Sequence, residues 1–340
     1  MFQETPTSGK VIVAMLAGLA LVLVWALPAQ AADKEPGRHH HGHAVAAQHA
    51  ASTAAASTGQ LYWYGGPVQN YTKTYAIFWL PTGYTYEKGG SSANYRTLVE
   101  RYLRDVGGST FANPTTQYYD SSNWVSNSST FVESVLDTSP YPVHNGYVYT
   151  TDADIRAEVV KWIKARGWVY GIHEQFFVFT ASGVLTYDPS LGWSNNNGST
   201  GYCAYHNTFS ASSYGMQNVQ IVYANMPGQD GHYPCYAKTF AGYNSSGQPT
   251  YYWYSPNGDY AADSAVSITS HEQFEMITDP LLNAWKDASG DENGDKCAYN
   301  YGTVATDTGN VTLNGHRYIL QGEWSNAIAG CAWYRAYPYH

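Results

Sequence analysis

The sequence predicts an α+β or α/β fold, arranged as a single large domain around a mixed β-sheet. Helical apolar patterns alternate with β-branched and aromatic runs in the first half of the chain. Strand and loop patterns rich in Gly and Tyr dominate the second half, where a disulfide-stabilised, loop-rich part is expected. Residues 61–340 show no internal repeat and are long enough to enclose one large core.

The N-terminal region has the composition of an export signal followed by a linker. A lysine precedes an apolar run, and Ala29 and Ala31 after that run are the small residues of a signal-peptidase site. The next segment is rich in Ala, Ser, Thr and His, with too little bulky apolar surface to offset its ordering entropy. We predict a signal peptide over 1–31, a disordered linker over 32–60 and a secreted domain over 61–340, with no stable membrane anchor after cleavage.

Charge and cysteine content narrow the function classes. The net charge is −9 and no cluster of Lys and Arg is present, which excludes nucleic acid as a partner. Four cysteines in an exported chain predict two disulfides, and three pairings are open. Local spacing favours Cys203–Cys235 and Cys297–Cys331. The sequence does not indicate an oligomeric state.

The first half of the domain alternates predicted strands and helices. Residues 75–80 are apolar and aromatic, which predicts a buried strand. Apolar residues at helical spacing predict a first helix over 94–106, and the segment 115–136 is expected to form a strand pair. Asp152 is placed to cap a second helix, which Gly167 would end.

The second half contains three further predicted elements. Residues 217–224 have the pattern of a strand. A third helix is predicted near 264–278, capped by the preceding polar residues and ended by Pro280. The Asn314-Gly315 pair predicts a tight turn within a hairpin over 312–318.

The tetrapeptide HEQF occurs twice, and its first copy starts at His173. This copy lies in a β-branched and aromatic run that predicts a strand. On a strand His173 and Glu174 point to opposite faces, so the two side chains cannot hold one ion. The first copy is therefore interpreted as scaffold.

The second copy, at His271, lies on the predicted third helix. His271 and Glu275 are one helical turn apart and project from the same face, with Glu272 beside them. This is the pattern of the zinc-binding HExxH helix, with the second histidine replaced by glutamate. We predict His271 and Glu275 as metal ligands and Glu272 as the general base.

The acidic segment 287–295 supplies the remainder of the predicted site. Glu292 is separated from Glu275 by sixteen residues, similar to the later ligand glutamate of some zincins, and is predicted as the third metal ligand. Asp295 is placed to accept a hydrogen bond from the other ring nitrogen of His271. Zinc is the predicted ion. Calcium or manganese stays open, because carboxylates are hard ligands and the acidic spacing is similar to the start of a calcium loop.

The same region resembles a known family. The stretch SPNGDYAADSAVSITSHEQFEMITDP, preceded by YPCYAKTF and followed by Glu292–Cys297, resembles the phosphate-induced protein (EXORDIUM-like) family and its bacterial secreted relatives. TYAIFWLP, GYCAYH near residue 203 and the region 318–331 support this likeness, which covers most of 68–335. The resemblance implies an extracellular, cell-wall or apoplastic protein linked to growth and nutrient responses.

The residues leave more than one function open. The first prediction is a secreted metal-dependent hydrolase, a zinc peptidase-like protein acting on peptide through a HExxE...E site. The alternative is a non-catalytic extracellular or cell-wall carbohydrate-binding protein, because 11 Trp and 32 Tyr accompany many polar residues that can bind polysaccharide. A third prediction is a structural protein in which 271–295 binds a stabilising ion.

Overall fold

The computed structural model describes residues 59–87, 92–194, 201–228, 235–304 and 308–340. The predicted signal peptide and all but the last two residues of the predicted linker lie outside the described residues. Within the described ranges, no helix is both long and apolar enough to cross a membrane.

A five-stranded mixed sheet forms the centre of the fold. Its strands are β1 (Thr72–Trp79), β2 (Ser129–Asp137), β3 (Glu174–Thr180), β4 (Tyr205–Ser210) and β5 (Gln220–Met226). The strand order is β4-β5-β3-β1-β2. β4 runs antiparallel to β5, and the other neighbouring pairs are parallel. The predicted mixture of helices and a mixed sheet is confirmed.

Among the described residues, three α-helices cover the two faces of this sheet: α1 (Ser92–Asp105), α2 (Asp152–Arg166) and α3 (Tyr260–Thr278). Apolar residues of α1 and α3 share one core with Phe78 and Phe177. Apolar residues of α2 share the other core with Ile77 and Val178. Ile77 and Phe78 are neighbours on β1, and Phe177 and Val178 are neighbours on β3. Neighbouring side chains of a strand point to opposite faces of the sheet, so each strand contributes to both cores. The central strands β1 and β3 are therefore enclosed on both sides, and they carry continuous apolar and aromatic runs over 75–79 and 176–179.

Two helix starts differ from the sequence prediction. Thr151, not Asp152, caps α2, and its side chain forms a reciprocal capping box with Asp154. The predicted start of α3 near 264 is wrong, because the helix begins at Tyr260 and Asp259 caps it by accepting a hydrogen bond from the Ala262 N–H. The ends are as predicted: Gly167 adopts a left-handed conformation after α2, and α3 ends at Thr278.

The predicted strand pair over 115–136 is also wrong. Residues 113–117 form a 3₁₀ turn that begins with Asn-Pro, and a single bridge joins Tyr119 to Trp124. Only Ser129–Asp137 forms a strand, and its partner is β1 rather than its own neighbouring segment. A local pattern shows that residues are extended but does not show which strand they join.

Short two- and three-stranded ladders surround the main sheet. The predicted hairpin near 312–318 is confirmed, with Asn314 and Gly315 both at positive φ in its turn. The short strands are Tyr62–Trp63 with Trp285–Lys286, Val143–His144 with Tyr147–Val148, Thr150–Thr151 with Thr186–Asp188 and Gly192–Trp193, Lys238–Tyr243 with Pro249–Trp253, Val311–Leu313 with His316–Tyr318, and Glu323–Ser325 with Gly330–Ala332.

Two disulfides hold the loops next to α3. The bonds Cys203–Cys235 and Cys297–Cys331 are formed, as local spacing had favoured. Cys203 lies just before β4, and Cys297 ends a 3₁₀ turn that follows the acidic segment. The Tyr299 hydroxyl lies 3.1 Å from Cys203 Sγ, so the segment that follows Cys297 also contacts the first disulfide.

Candidate metal centre

Helix α3 is enclosed on all sides, although it carries several ionisable residues. Every residue from Ala261 to Thr278 is buried. A helix buried all round is normally apolar, because a charge taken out of water must be paired or must bind a metal ion. His271, Glu272 and Glu275 are nevertheless at most 1% exposed. The interior around α3 must therefore supply opposite charge.

One group of potential ligands forms where α3 faces β4. His206 of β4 has its Nδ1 atom 3.3 Å from Glu272 Oε2 and 3.4 Å from Glu275 Oε2. All three side chains are buried. We call His206, Glu272 and Glu275 the His206 group, since they lie close enough to hold one ion.

A second group forms on the other side of Glu275. His271 Nε2 lies 3.0 Å from Glu275 Oε1 and 3.6 Å from Asp295 Oδ1. The Asp295 backbone N–H donates a hydrogen bond to Glu275 Oε1, and the Gln321 side-chain amide contacts His271 Nδ1. We call His271, Glu275 and Asp295 the His271 group. Its Asp295 side chain is 17% exposed, so this group reaches solvent.

Further buried carboxyl groups surround both sets. Glu292 Oε2 lies 3.6 Å from His206 Nε2, and neither oxygen of Glu292 accepts a hydrogen bond. Burial and the charges of Asp279 and Glu275 raise the pKa of Glu292 well above its usual range. Both oxygens of buried Glu323 are likewise without a donor, and burial raises its pKa although His271 lowers it. These acceptors require a proton or a cation.

The histidines respond to the same surplus of negative charge. Burial lowers the pKa of His206, but the carboxylates of Glu272 and Glu275 raise it to about 10. Burial also opposes the charged form of His271, yet Glu275 and Asp295 raise its pKa well above the usual value. The carboxylates that favour a positive charge on the two imidazoles would also favour a bound cation.

In each group, the separations between the imidazole nitrogen and the two carboxylates are those of ligands on one ion. Two donors about 2.1 Å from an ion, at angles between about 90° and 120°, lie about 3.0–3.6 Å apart. The separations in the His206 group are 3.3 and 3.4 Å, and those in the His271 group are 3.0 and 3.6 Å. One imidazole with two carboxylates suits zinc or manganese better than calcium, which prefers oxygen ligands.

The five residues predicted from the sequence all lie around α3, but their neighbours differ from the expectation. Asp295 was expected to accept a hydrogen bond from the ring nitrogen of His271 that does not bind the ion, but it lies among the potential ligands of the His271 group. Glu292, expected as the third ligand of the ion at His271, lies beside His206 Nε2. Glu272, expected as the base, faces His206 Nδ1.

Sequence reasoning missed His206, Gln321 and Glu323. His206 ends the GYCAYH stretch, where a histidine follows a disulfide cysteine by three residues. That proximity was the available signal, because the disulfide fixes the start of β4. Gln321 and Glu323 carried no local signal.

The calcium-loop alternative does not match the contacts of Asp287. Asp287 Oδ1 accepts hydrogen bonds from the backbone N–H groups of Ser289 and Asp291. Its Oδ2 pairs with Lys296 Nζ at 3.0 Å. These contacts make Asp287 the closing residue of a turn and occupy the oxygens that calcium would need.

The first HEQF copy lies outside both groups. His173 precedes β3 and stacks on Tyr71 with ring centroids 4.4 Å apart. Glu174 is buried and lies 3.8 Å from Lys73 Nζ. The copy at 173 thus has structural contacts at the entrance of a strand.

Comparison with known proteins gives a partial match. No family model matches the chain. The protein EXORDIUM-like 3 of Arabidopsis thaliana is 35% identical over 95 residues, covering 23% of this chain and 28% of that protein. EXORDIUM-like 5 of the same plant is 30% identical over 95 residues, covering 23% and 26% respectively. Each match spans little more than a quarter of the relative's length.

Proposed function

We propose that this chain, which is similar over 95 residues to two EXORDIUM-like proteins, is a secreted metal-dependent hydrolase. The proposed ion is held by His271, Glu275 and Asp295. The observation that carries the proposal is the buried collection of imidazoles and carboxylates around α3, at separations suited to metal coordination. The two disulfides are consistent with export.

The His271 group is the better position for a catalytic ion. A catalytic site needs three protein ligands and an open position, whereas a structural site is closed. Asp295 is partly exposed, while all three members of the His206 group are buried. A substrate approaching from solvent would therefore meet the His271 group first.

The chain provides a residue for proton transfer beside this group. An ion bound there supplies Lewis-acid polarisation of the bond that is cleaved. Glu323 is fully buried and its oxygens have no hydrogen-bond donor, and the backbone N–H of the next residue, Trp324, donates to Asn293 O, two residues before Asp295. We propose that Glu323, rather than Glu272, which faces His206, donates a proton to the leaving group, because burial raises the pKa of Glu323 and favours its protonated form.

Gln321 orients His271. For His271 Nε2 to coordinate, Nδ1 must carry the proton and donate it to an oxygen. Gln321 Oε1 accepts a hydrogen bond from the Tyr299 N–H at 3.2 Å, and the Gln321 amide nitrogen contacts His271 Nδ1. Metal binding at Nε2 would therefore require the Gln321 amide to rotate, so that its oxygen faces Nδ1. Replacement by a carboxylate, Gln321→Glu, should preserve metal binding, whereas Gln321→Met should weaken it by about 10- to 100-fold.

We propose a peptide bond as the first substrate class and cell-wall polysaccharide as the second. The test combines metal analysis with hydrolysis of a peptide library by the full chain. All variants carry serine in place of the linker histidines, which would otherwise bind metal: His39, His40, His41, His43 and His49.

Wild type should contain zinc or manganese and cleave peptides. Glu323→Gln should retain the ion and lose at least about 100-fold in kcat. His271→Gln should lose the catalytic ion, and His173→Gln should match wild type. Wild type without bound metal, or full activity in Glu323→Gln, would show the proposal to be wrong.

A second candidate function rests on a separate observation. Tyr62, Tyr64 and Trp124 are 55%, 53% and 42% exposed. Tyr119 links this aromatic face to Trp63, with ring centroids 6.0 Å apart and Trp124 only 4.6 Å from Tyr119. Exposed rings of this kind can stack on sugars. Retention on insoluble polysaccharide that is lost in Trp124→Ala, without hydrolysis by wild type, would favour a non-catalytic carbohydrate-binding protein.

A further inference from the structure

We propose that the protein holds a second divalent ion at His206, Glu272 and Glu275, so that Glu275 bridges two ions. The inference rests on the proposed function only in that the first ion occupies the His271 group. The second ion would be fully enclosed, and it changes the role of Glu272 from a predicted base to a ligand.

The two oxygens of Glu275 face different imidazoles. Oε1 lies 3.0 Å from His271 Nε2, and Oε2 lies 3.4 Å from His206 Nδ1. A carboxylate in this position can give one oxygen to each ion. Two-metal hydrolytic sites hold their ions about 3.5–4 Å apart, a separation that a bridging carboxylate spans.

Unsatisfied buried atoms give independent support for a cation beside His206. Glu272 Oε1 and both oxygens of Glu292 have no hydrogen-bond donor, and both residues are 0% exposed. Buried acceptors of this kind are rare, because an unmade hydrogen bond to a charged group costs more than about 1–3 kcal/mol. A cation held by His206, Glu272 and Glu275 would interact directly with the Glu272 carboxylate, whereas Glu292 would lie on the far side of the His206 ring.

The surroundings of both groups are rich in carboxyl groups. Glu272, Glu275 and Glu292 lie within 3.6 Å of the His206 imidazole, and Asp295 lies 3.6 Å from His271. Lys296 directs its ammonium group to Asp287 at 3.0 Å. Two divalent ions held here would each meet oxygen ligands of opposite charge in a low-dielectric interior.

Glu292 completes the surroundings of the second ion without being its ligand. Its carboxylate lies on the Nε2 side of His206, at 3.6 Å, while Nδ1 faces Glu272 and Glu275. A carboxylate behind a metal-binding histidine fixes the ring and its tautomer. Glu292→Gln should therefore weaken binding of the second ion by about 10- to 100-fold while leaving the first in place.

The test counts ions in the full chain with the five linker histidines replaced by serine. Each variant is saturated with Mn²⁺, dialysed and measured by elemental analysis and electron paramagnetic resonance. Wild type and His173→Gln should hold two ions with an exchange-coupled spectrum. His206→Gln and His271→Gln should each hold one ion with an uncoupled spectrum, and Glu275→Gln should weaken both by at least tenfold.

One ion per wild-type chain, or two uncoupled ions, would overturn the proposal. The wild-type measurement needs no variant to fold, and circular dichroism checks the folding of the others. Failure of this inference is separable from failure of the proposed function. A single ion with peptide hydrolysis would contradict only the second site, and two coupled ions without hydrolysis would contradict only the function.

Discussion

Gly294 gives the sharpest test of the proposed centre, because it has no side chain where the ligands converge. Its φ of −71° and ψ of −47° are ordinary for any residue, so Gly294→Ala introduces no backbone strain. A Cβ atom there would lie 2.6 Å from His271 Nδ1 and 2.9 Å from Glu275 Oε1. The substitution therefore acts first on the side chains of His271 and Glu275.

The size of the effect follows from those distances. Carbon atoms normally approach other heavy atoms no closer than about 3.5 Å, so the ligands must move by about 0.5–1 Å. Overpacking of this kind costs about 1–3 kcal/mol, which corresponds to a melting temperature about 2–10 °C lower. A displacement of about 1 Å at a reacting centre can lower activity about 100-fold. We expect Mn²⁺ affinity to fall at least tenfold.

Gly330→Ala is the matched control. Gly330 lies in the strand that contains Cys331, and its nearest atom to an added Cβ is Ile328 O at 3.8 Å. Isothermal titration with Mn²⁺ and thermal melting should leave this control unchanged. If Gly294→Ala bound Mn²⁺ and melted like wild type, His271 and Glu275 would not require their present positions for metal binding.

Three other predictions concern other parts of the fold. Burial and Asp137 raise the pKa of Glu158 to about 8. The free energy of unfolding should therefore fall, by at most about 5 kcal/mol, as pH rises from about 4.5 to 8. Denaturant titrations at several pH values should show this loss in wild type and not in Glu158→Gln. The double substitution Cys297→Ser with Cys331→Ser should lower the free energy of unfolding by about 2–4 kcal/mol. It should also weaken metal binding, because the cross-link holds the segment that carries Asp295. Unchanged metal affinity would contradict that role of the disulfide. His173→Ala should change the free energy of unfolding by less than about 1 kcal/mol, and a loss of bound ion from it would contradict the assignment of the first HEQF copy to the scaffold.

Much of the local structure followed from the sequence because its causes are local. Helical spacing, a terminal Gly167 and an Asn-Gly turn each act over a few residues, and the corresponding elements are present. The disulfide partners are also near in sequence, at separations of 32 and 34 residues. Errors arose where a neighbouring polar residue made a better cap, as Asp259 did for α3.

The sequence by itself determined that residues 174–176 of one HEQF copy belong to a strand and that the other copy belongs to a helix, although His173 itself lies just before the strand. Only the tertiary structure decided the composition of the candidate centre. His206 is 66 residues from Glu272 and reaches it through strand order, and Gln321 is 50 residues from His271 and reaches it through a returning loop. Such convergence depends on how sheet, helix and cross-linked loops pack, and no local spacing encodes it. The same packing placed Asp295 beside His271 and Glu292 beside His206.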